Sequence, residues 1–251
     1  MARNLTASIL AALAIGAAGV AMAASLPANI TAALADKARP EADTKRDAAR
    51  HPGEMLAYAG VKPGDKVADF MMGGGYFTRI LSPAVGPKGH VYAYQSGEFI
   101  TYRAAYGDEQ KKAVADYTNV TAGSGPLANA GLPDGLDLVL TVQNYHDMHL
   151  KPFPPTTAAT VNAEVFKALK PGGVYLVVDH AAAAGAPLTT ADTLHRIDPA
   201  TVKTEVQAAG FKFEGESPLL KNPDDPHTAL VFDPSIRGKT DQFIYKFRKP
   251  K

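Results

Sequence analysis

The sequence predicts an α/β protein: an open, mostly parallel seven-stranded sheet with helices on both faces and a C-terminal antiparallel hairpin. Three observations carry this expectation. Val67 to Met72 is a strand-length apolar run that breaks into Gly73, Gly74 and Gly75 and then turns helical. Phe77, Ile80 and Leu81 there fall at the spacing of one buried helix face. Further apolar runs alternate with helical patterns, as they do in parallel strands joined by right-handed crossovers. The final two runs, Thr228 to Phe232 and Phe243 to Phe247, have no helix between them, so one must oppose its neighbour.

At 251 residues the chain suits one such domain with a short extension. Arg3, an apolar Ala/Gly-rich stretch from Leu5 to Val20, and the small-x-small triplet Ala21-Met22-Ala23 read as a cleavable signal peptide over residues 1–23. The expected mature protein is periplasmic or secreted, without stable membrane association after cleavage. Lys plus Arg (26) nearly cancels Asp plus Glu (25), and no basic stripe appears, which argues against a nucleic-acid partner. Cysteine is absent, so thiolate chemistry and disulfides are excluded.

Residues 24–60 read as a helical extension. Pro27 to Arg39 and Glu41 to Arg50 form two short helices, with Pro40 opening the second. Arg46 and Arg50 share a helix face, solvated or within reach of an anion. Glu54 to Ala59 makes a third helix, stopped by Gly60.

The α/β domain follows over residues 61–251. Strand, glycine turn and helix at residues 67–81 place free backbone N–H groups beside a ligand. Ser82-Pro83 ends that helix. His90 to Tyr94 is the second strand, Tyr102 to Tyr117 a helix, Asn119 to Thr121 a weak third strand, and residues 124–135 a loop. Leu136 to Val142 is a buried fourth strand opening into Gln143-Asn-Tyr-His-Asp-Met-His149. Thr156 to Leu169 is a helix, Val174 to Val178 the fifth strand, and Pro199 to Ala209 a helix that Gly210 stops. Because an open parallel sheet binds ligands beyond its carboxyl strand ends, four segments converge there. They are the Gly73 turn, Gln95 to Glu98, Asn144 to His149, and Asp179-His180.

Val67-Ala-Asp-Phe-Met-Met-Gly-Gly-Gly-Tyr-Phe-Thr78, Leu136-Asp-Leu-Val-Leu140 and Leu169-Lys-Pro-Gly-Gly-Val-Tyr-Leu-Val-Val178 together resemble the class I S-adenosylmethionine-dependent methyltransferases, a Rossmann-like family. The likeness extends from about Gly53 to Lys249, and more narrowly the chain is similar to a group of exported bacterial predicted methyltransferases. It implies S-adenosyl-L-methionine as cofactor and an unidentified small molecule as substrate. By this resemblance Asp69, Gly73, Gly74, Gly75, Gln95 and Asn144 hold the cofactor. Two positions depart from the family pattern: Met71 stands at its first glycine, and Gln95 at the acidic residue that takes the ribose hydroxyls. Exchanging a charged hydrogen bond for a neutral one costs about 1–2 kcal/mol.

His146, His180 and Tyr145 are the candidate catalytic groups, His146 first because a neutral imidazole is available near pH 7. Asp198 caps the helix that begins at Pro199, and His195 beside it is left unassigned. Arg237, Lys239, Arg248 and Lys249 read as a solvated hairpin edge. No tight metal-ligand signature is present, so no metal ligand is assigned. Two other readings stay open: a non-catalytic small-molecule-binding module on the same scaffold, and a metal-assisted hydrolase using the histidines. Oligomeric state is not legible.

Overall fold

The structure is a computed structural model that describes residues 25–251. The expected signal peptide, residues 1–23, lies outside them. Four short helices come first: α1 (Ala28–Leu34), α2 (Glu41–Thr44), α3 (Asp47–Arg50) and α4 (Pro52–Ala59). Alternation follows with β1 (Lys66–Phe70), α5 (Thr78–Val85), β2 (His90–Ser96), α6 (Gly97–Tyr102), α7 (Ala105–Val114), β3 (Val120–Gly125) and β4 (Leu136–Val142). A 3-10 turn at His146–His149 leads to α8 (Thr157–Ala168), β5 (Leu169–His180), α9 (Thr190–Leu194), α10 (Pro199–Ala208), β6 (Lys212–Ser217) and β7 (Gln242–Arg248).

The seven strands form one sheet in the order β3-β2-β1-β4-β5-β7-β6. Strands β1 to β5 pair in parallel, while β7 runs antiparallel to both β5 and β6. The chain leaves β1 toward β2 and β3, then returns to β4 on β1's other side. The strand order therefore reverses between β1 and β4, the position at which such sheets open a crevice.

Side-chain alternation sorts the core into two layers. Val67, Leu138, Leu140, Leu176, Val178 and Ile244 face α1, α4 and α5, where Ile30, Leu56, Ile80 and Leu81 are fully buried. Ala68, Phe70, Val139, Tyr175, Val177 and Phe243 face α8 and α10, packing against Val161, Val165, Val202 and Val206. Among the described residues, no helix is long and apolar enough to cross a membrane.

The single helix expected from Glu41 to Arg50 is two, α2 and α3, and three further expectations change. Thr228 to Phe232 is not a strand; β6 at Lys212–Ser217 pairs with β7 in its place. An edge strand needs pairing on one side only, and Glu214 adds ion pairs to Lys246 and Arg248 of β7, so an apolar run is unnecessary there. The helix expected from Tyr102 to Tyr117 is two helices, because Arg103 is extended at φ −141° and ψ 99°. Its first half begins earlier, where Ser96 Oγ accepts from the Phe99 N–H at 3.2 Å. Finally, α5 continues past Pro83 to Val85; a proline this near the end removes one bond from a turn already closing.

Candidate active site

The turn after β1 is built on backbone geometry that favours glycine. Met71 has φ 60°, Gly73 φ 54° and Gly75 φ 79°. The Gly73 N–H donates to Gln95 Oε1 at 3.0 Å, and the Gly75 N–H to the Met72 carbonyl at 3.0 Å. The two glycines serve different ends. A Cβ on Gly73 would meet no described atom within 4 Å, so its edge is open; on Gly75 it would fall 2.4 Å from Ala113 Cβ of α7. Gly75 is therefore a close-packing residue with its N–H already bonded. Gly74 is also open, its nearest neighbour being Glu109 Oε2 at 3.8 Å from a built Cβ.

A cavity of about 200 Å³ opens beside this turn, walled by Asp69, Met71, Gly73, Asn144, Arg46 and Arg50. Met71 borders it while remaining buried with the core around Phe70, Tyr94 and Tyr145. At the tip of β4, Gln143 has φ 62°, and Asn144 Nδ2 donates to the Met71 carbonyl at 2.7 Å. Arg50 Nη2 reaches Gln143 Oε1 at 3.3 Å. On the far side of that contact lies a second hollow of about 300 Å³, walled by Arg50, Gln143, His180, Phe232, Arg237 and Gln242. Arg46, Arg50 and Gln143 belong to both walls.

The N-terminal helices roof this end of the sheet through charge pairs. Asp43 accepts from Arg46 at 2.6 Å and from Arg79 Nε at 2.7 Å; Asp47 accepts from Arg39 at 2.8 and 2.7 Å and from the Tyr76 hydroxyl at 2.6 Å. The Arg50 guanidinium lies 4.5 Å from the Tyr76 ring centroid, a cation–π contact that fixes it over the turn.

Alternation at the end of β5 sends Asp179 and His180 to opposite faces. Asp179, fully buried, accepts from His146 Nδ1 at 2.9 Å and from the His146 backbone N–H at 2.7 Å. His146 Nε2 then faces His195 Nδ1 at 3.2 Å and Asp147 Oδ1 at 3.3 Å. Burial opposes charge on His146, but Asp179 and Asp147 outweigh it and raise the imidazole to about 9. His180 is the reverse case. Burial carries it down to about 4, against the pull of Asp179, so it is a neutral imidazole. Its Nδ1 meets Thr240 Oγ1 at 2.7 Å, and it lines the second hollow. Burial also pushes Asp69 up to about 6, although Thr78 Oγ1 donates to it at 2.6 Å.

The remaining candidates divide. Asp69, Gly73, Gly74 and Asn144 border the glycine cavity, and Gln95 closes the turn behind it. Tyr145 is fully buried and faces neither hollow; its hydroxyl donates to Glu205 Oε2 at 2.9 Å and accepts from Asn162 at 2.7 Å. Glu98 is spent on the Leu127 N–H at 3.0 Å. Sequence reading did not assign Gln143, Asp147 or Phe232, and it placed Arg237 on a hairpin edge. The one signal for the basic wall was the four-residue spacing of Arg46 and Arg50.

No protein-family profile and no curated protein matches this sequence. Solved structures do. A SAM-dependent methyltransferase from Aquifex aeolicus is similar at TM-score 0.56 and 20% identity, covering 79% of this chain and 89% of that one. An arsenic(III) S-adenosylmethionine methyltransferase from Chlamydomonas reinhardtii gives 0.54 at 19% identity, covering 91% and 75%. The [4+2]-cyclase SpnF gives 0.57 at 15% identity, covering 85% of each chain. The chain therefore has the fold of the class I SAM-dependent methyltransferases. That fold also carries a protein named as a cyclase, so activity has to be argued from the site.

Proposed function

We propose that this chain is a methyltransferase that takes S-adenosyl-L-methionine at the glycine turn and a small anionic acceptor in the adjoining basic hollow. The observation that carries the reading is the pair of hollows meeting at Arg50 and Gln143, where the strand order reverses. The cradle suits such a ligand: the edges of Gly73 and Gly74 stand open where a side chain would intrude. At about 200 Å³ the glycine cavity is smaller than the roughly 300–1,000 Å³ of small-molecule sites, so binding requires the 3.3 Å Arg50–Gln143 contact to open.

When bound, the cofactor supplies an electrophilic methyl group for in-line displacement. The protein's share is alignment and charge. Asp69 offers a carboxylate to a cationic ligand group, Asn144 fixes the turn through the Met71 carbonyl, and Arg46, Arg50 and Arg237 attract an anionic acceptor. Neutral His180 is placed to accept a hydrogen bond from that acceptor and position it, being too weak a base to strip its proton unaided.

Calorimetry of the purified mature chain with S-adenosylmethionine and S-adenosylhomocysteine tests the reading. One-to-one saturable binding is expected, and no heat at millimolar ligand overturns it. The same reading places the protein outside the cytoplasm, supported by the leader-like residues Arg3 to Ala23. N-terminal sequencing of the protein from an exporting host is expected to begin near Ala24.

A further inference from the structure

We propose that His146, Asp147 and His195 form a binding site for one divalent first-row transition ion, Zn²⁺ being the ion that suits its donors. Asp179 orients the first ligand. The site stands apart from the glycine cavity and does not depend on methyl transfer.

The three donor atoms converge. His146 Nε2 lies 3.2 Å from His195 Nδ1 and 3.3 Å from Asp147 Oδ1, and the last two are 4.0 Å apart. Bonds of about 2.0–2.1 Å in tetrahedral geometry require donors about 3.3–3.5 Å apart. Small movements of His195, the most exposed of the three, bring all three edges to those values.

Each residue is held for this purpose by a different device. Asp179 takes the Nδ1–H and the backbone N–H of His146, leaving Nε2 as the donor, the arrangement by which a carboxylate fixes the tautomer of a ligating histidine. Asp147 supplies an independent observation. It is 8% exposed, yet its carboxylate accepts no hydrogen bond from any described residue and has only the two histidines before it. A cation shared with the two histidines would complete the surroundings of this nearly buried carboxylate. A simple histidine–histidine hydrogen bond would account for His146 and His195 but not for the convergence of Asp147 Oδ1 on both rings. His195 has φ 52°, and Phe232 packs on its ring at 4.9 Å between centroids. The His195 side chain is 28% exposed and provides the route of entry.

Two imidazoles and one carboxylate select for borderline transition ions over Mg²⁺ and Ca²⁺, which favour all-oxygen sets. Three protein donors also leave a coordination position for water or a ligand.

Tag-free mature protein, stripped with chelator, is titrated with Zn²⁺, Co²⁺ and Mg²⁺ and followed by calorimetry and by Co²⁺ visible absorption. The expected result is one Zn²⁺ or Co²⁺ per chain and no saturable Mg²⁺ binding. His195→Asn keeps a residue that tolerates the left-handed backbone, and Asp147→Asn keeps the size of the side chain. Each is expected to weaken Zn²⁺ at least about tenfold with an unchanged circular dichroism spectrum. Asp179→Asn is expected to weaken Zn²⁺ roughly 10- to 100-fold and to shift the Co²⁺ band. Folded wild-type protein that binds no stoichiometric Zn²⁺ or Co²⁺ overturns the site. So does equal affinity in the two ligand variants. An unchanged affinity and Co²⁺ spectrum in Asp179→Asn removes the orienting role.

Discussion

Gly73 and Gln95 are joined across the tips of β1 and β2, the Gly73 N–H donating to Gln95 Oε1 at 3.0 Å. The residue at the end of β2 thus closes the glycine turn from behind. Gln95→Ala leaves the Gly73 N–H without this partner. We expect a stability loss of about 1–2 kcal/mol in urea unfolding, together with weaker S-adenosylmethionine binding. Unchanged stability would show that the bond does not hold the turn.

Gly73 and Gly75 are separable by substitution. At Gly75 an added Cβ sits 2.4 Å from Ala113 Cβ, so Gly75→Ala is expected to lower the thermal midpoint by forcing α7 away. At Gly73 there is room, and Gly73→Ala costs only about 1–2 kcal/mol for its left-handed backbone. Its methyl group, however, occupies the space proposed for the ligand. A folded Gly73→Ala protein that binds S-adenosylhomocysteine as tightly as wild type contradicts the assigned cradle.

Asp69 is expected to make stability fall with rising pH. Its carboxyl lies near 6, above the ordinary 3.8, because burial disfavours the ionised form. The stabilisation is therefore complete below about pH 4 and is lost as pH rises through about 6. Asp69→Asn lacks that titration but still accepts from Thr78. The variant is expected to match wild type near pH 4 and to exceed it by up to about 3 kcal/mol at pH 7.5. Denaturant midpoints across this range check the sign, and a constant difference refutes it.

Arg196 and Asp225 form a fully desolvated pair, with guanidinium contacts at 2.8 and 3.1 Å and further bonds to the Ala181 and Ala229 carbonyls at 2.9 and 3.0 Å. The pair ties residues 218–241, the long connection carrying Phe232 and Arg237, to the sheet. Removing one partner of a buried pair costs about 3–5 kcal/mol. Arg196→Leu is expected to lose about that much and to open the connection to limited proteolysis. A joint apolar replacement of Arg196 and Asp225 is expected to regain much of the loss.

The central strands and the glycine turn were legible because burial on both faces writes itself as apolar runs, as in Leu136 to Val142. β6 was not. Lys212–Ser217 is charged and half-exposed, and what makes it a strand is backbone pairing to β7, to which sequence pattern is blind. Conversely, Thr228 to Phe232 reads as a strand on composition, yet Val231 is buried through a contact with Leu194, its N–H donating to that carbonyl at 3.2 Å. The site divides in the same way. Asp69, Gly73 and His180 follow from strand ends, which topology places. Arg50 over the turn, and His195 against His146 from 49 positions away, depend on how loops fold back, and local spacing carries no trace of that.

Met71 and Gln143 hold left-handed backbone at neighbouring strand tips, though neither is glycine. Such positions cost on the order of 1–3 kcal/mol each, and glycine at either would relieve it. The floor of the crevice is therefore a loaded surface, clamped by Asn144 against the Met71 carbonyl and by the Gln143 N–H bond to Val178 at 2.7 Å. Were either clamp drawn aside, its strand tip would be free to leave the left-handed region.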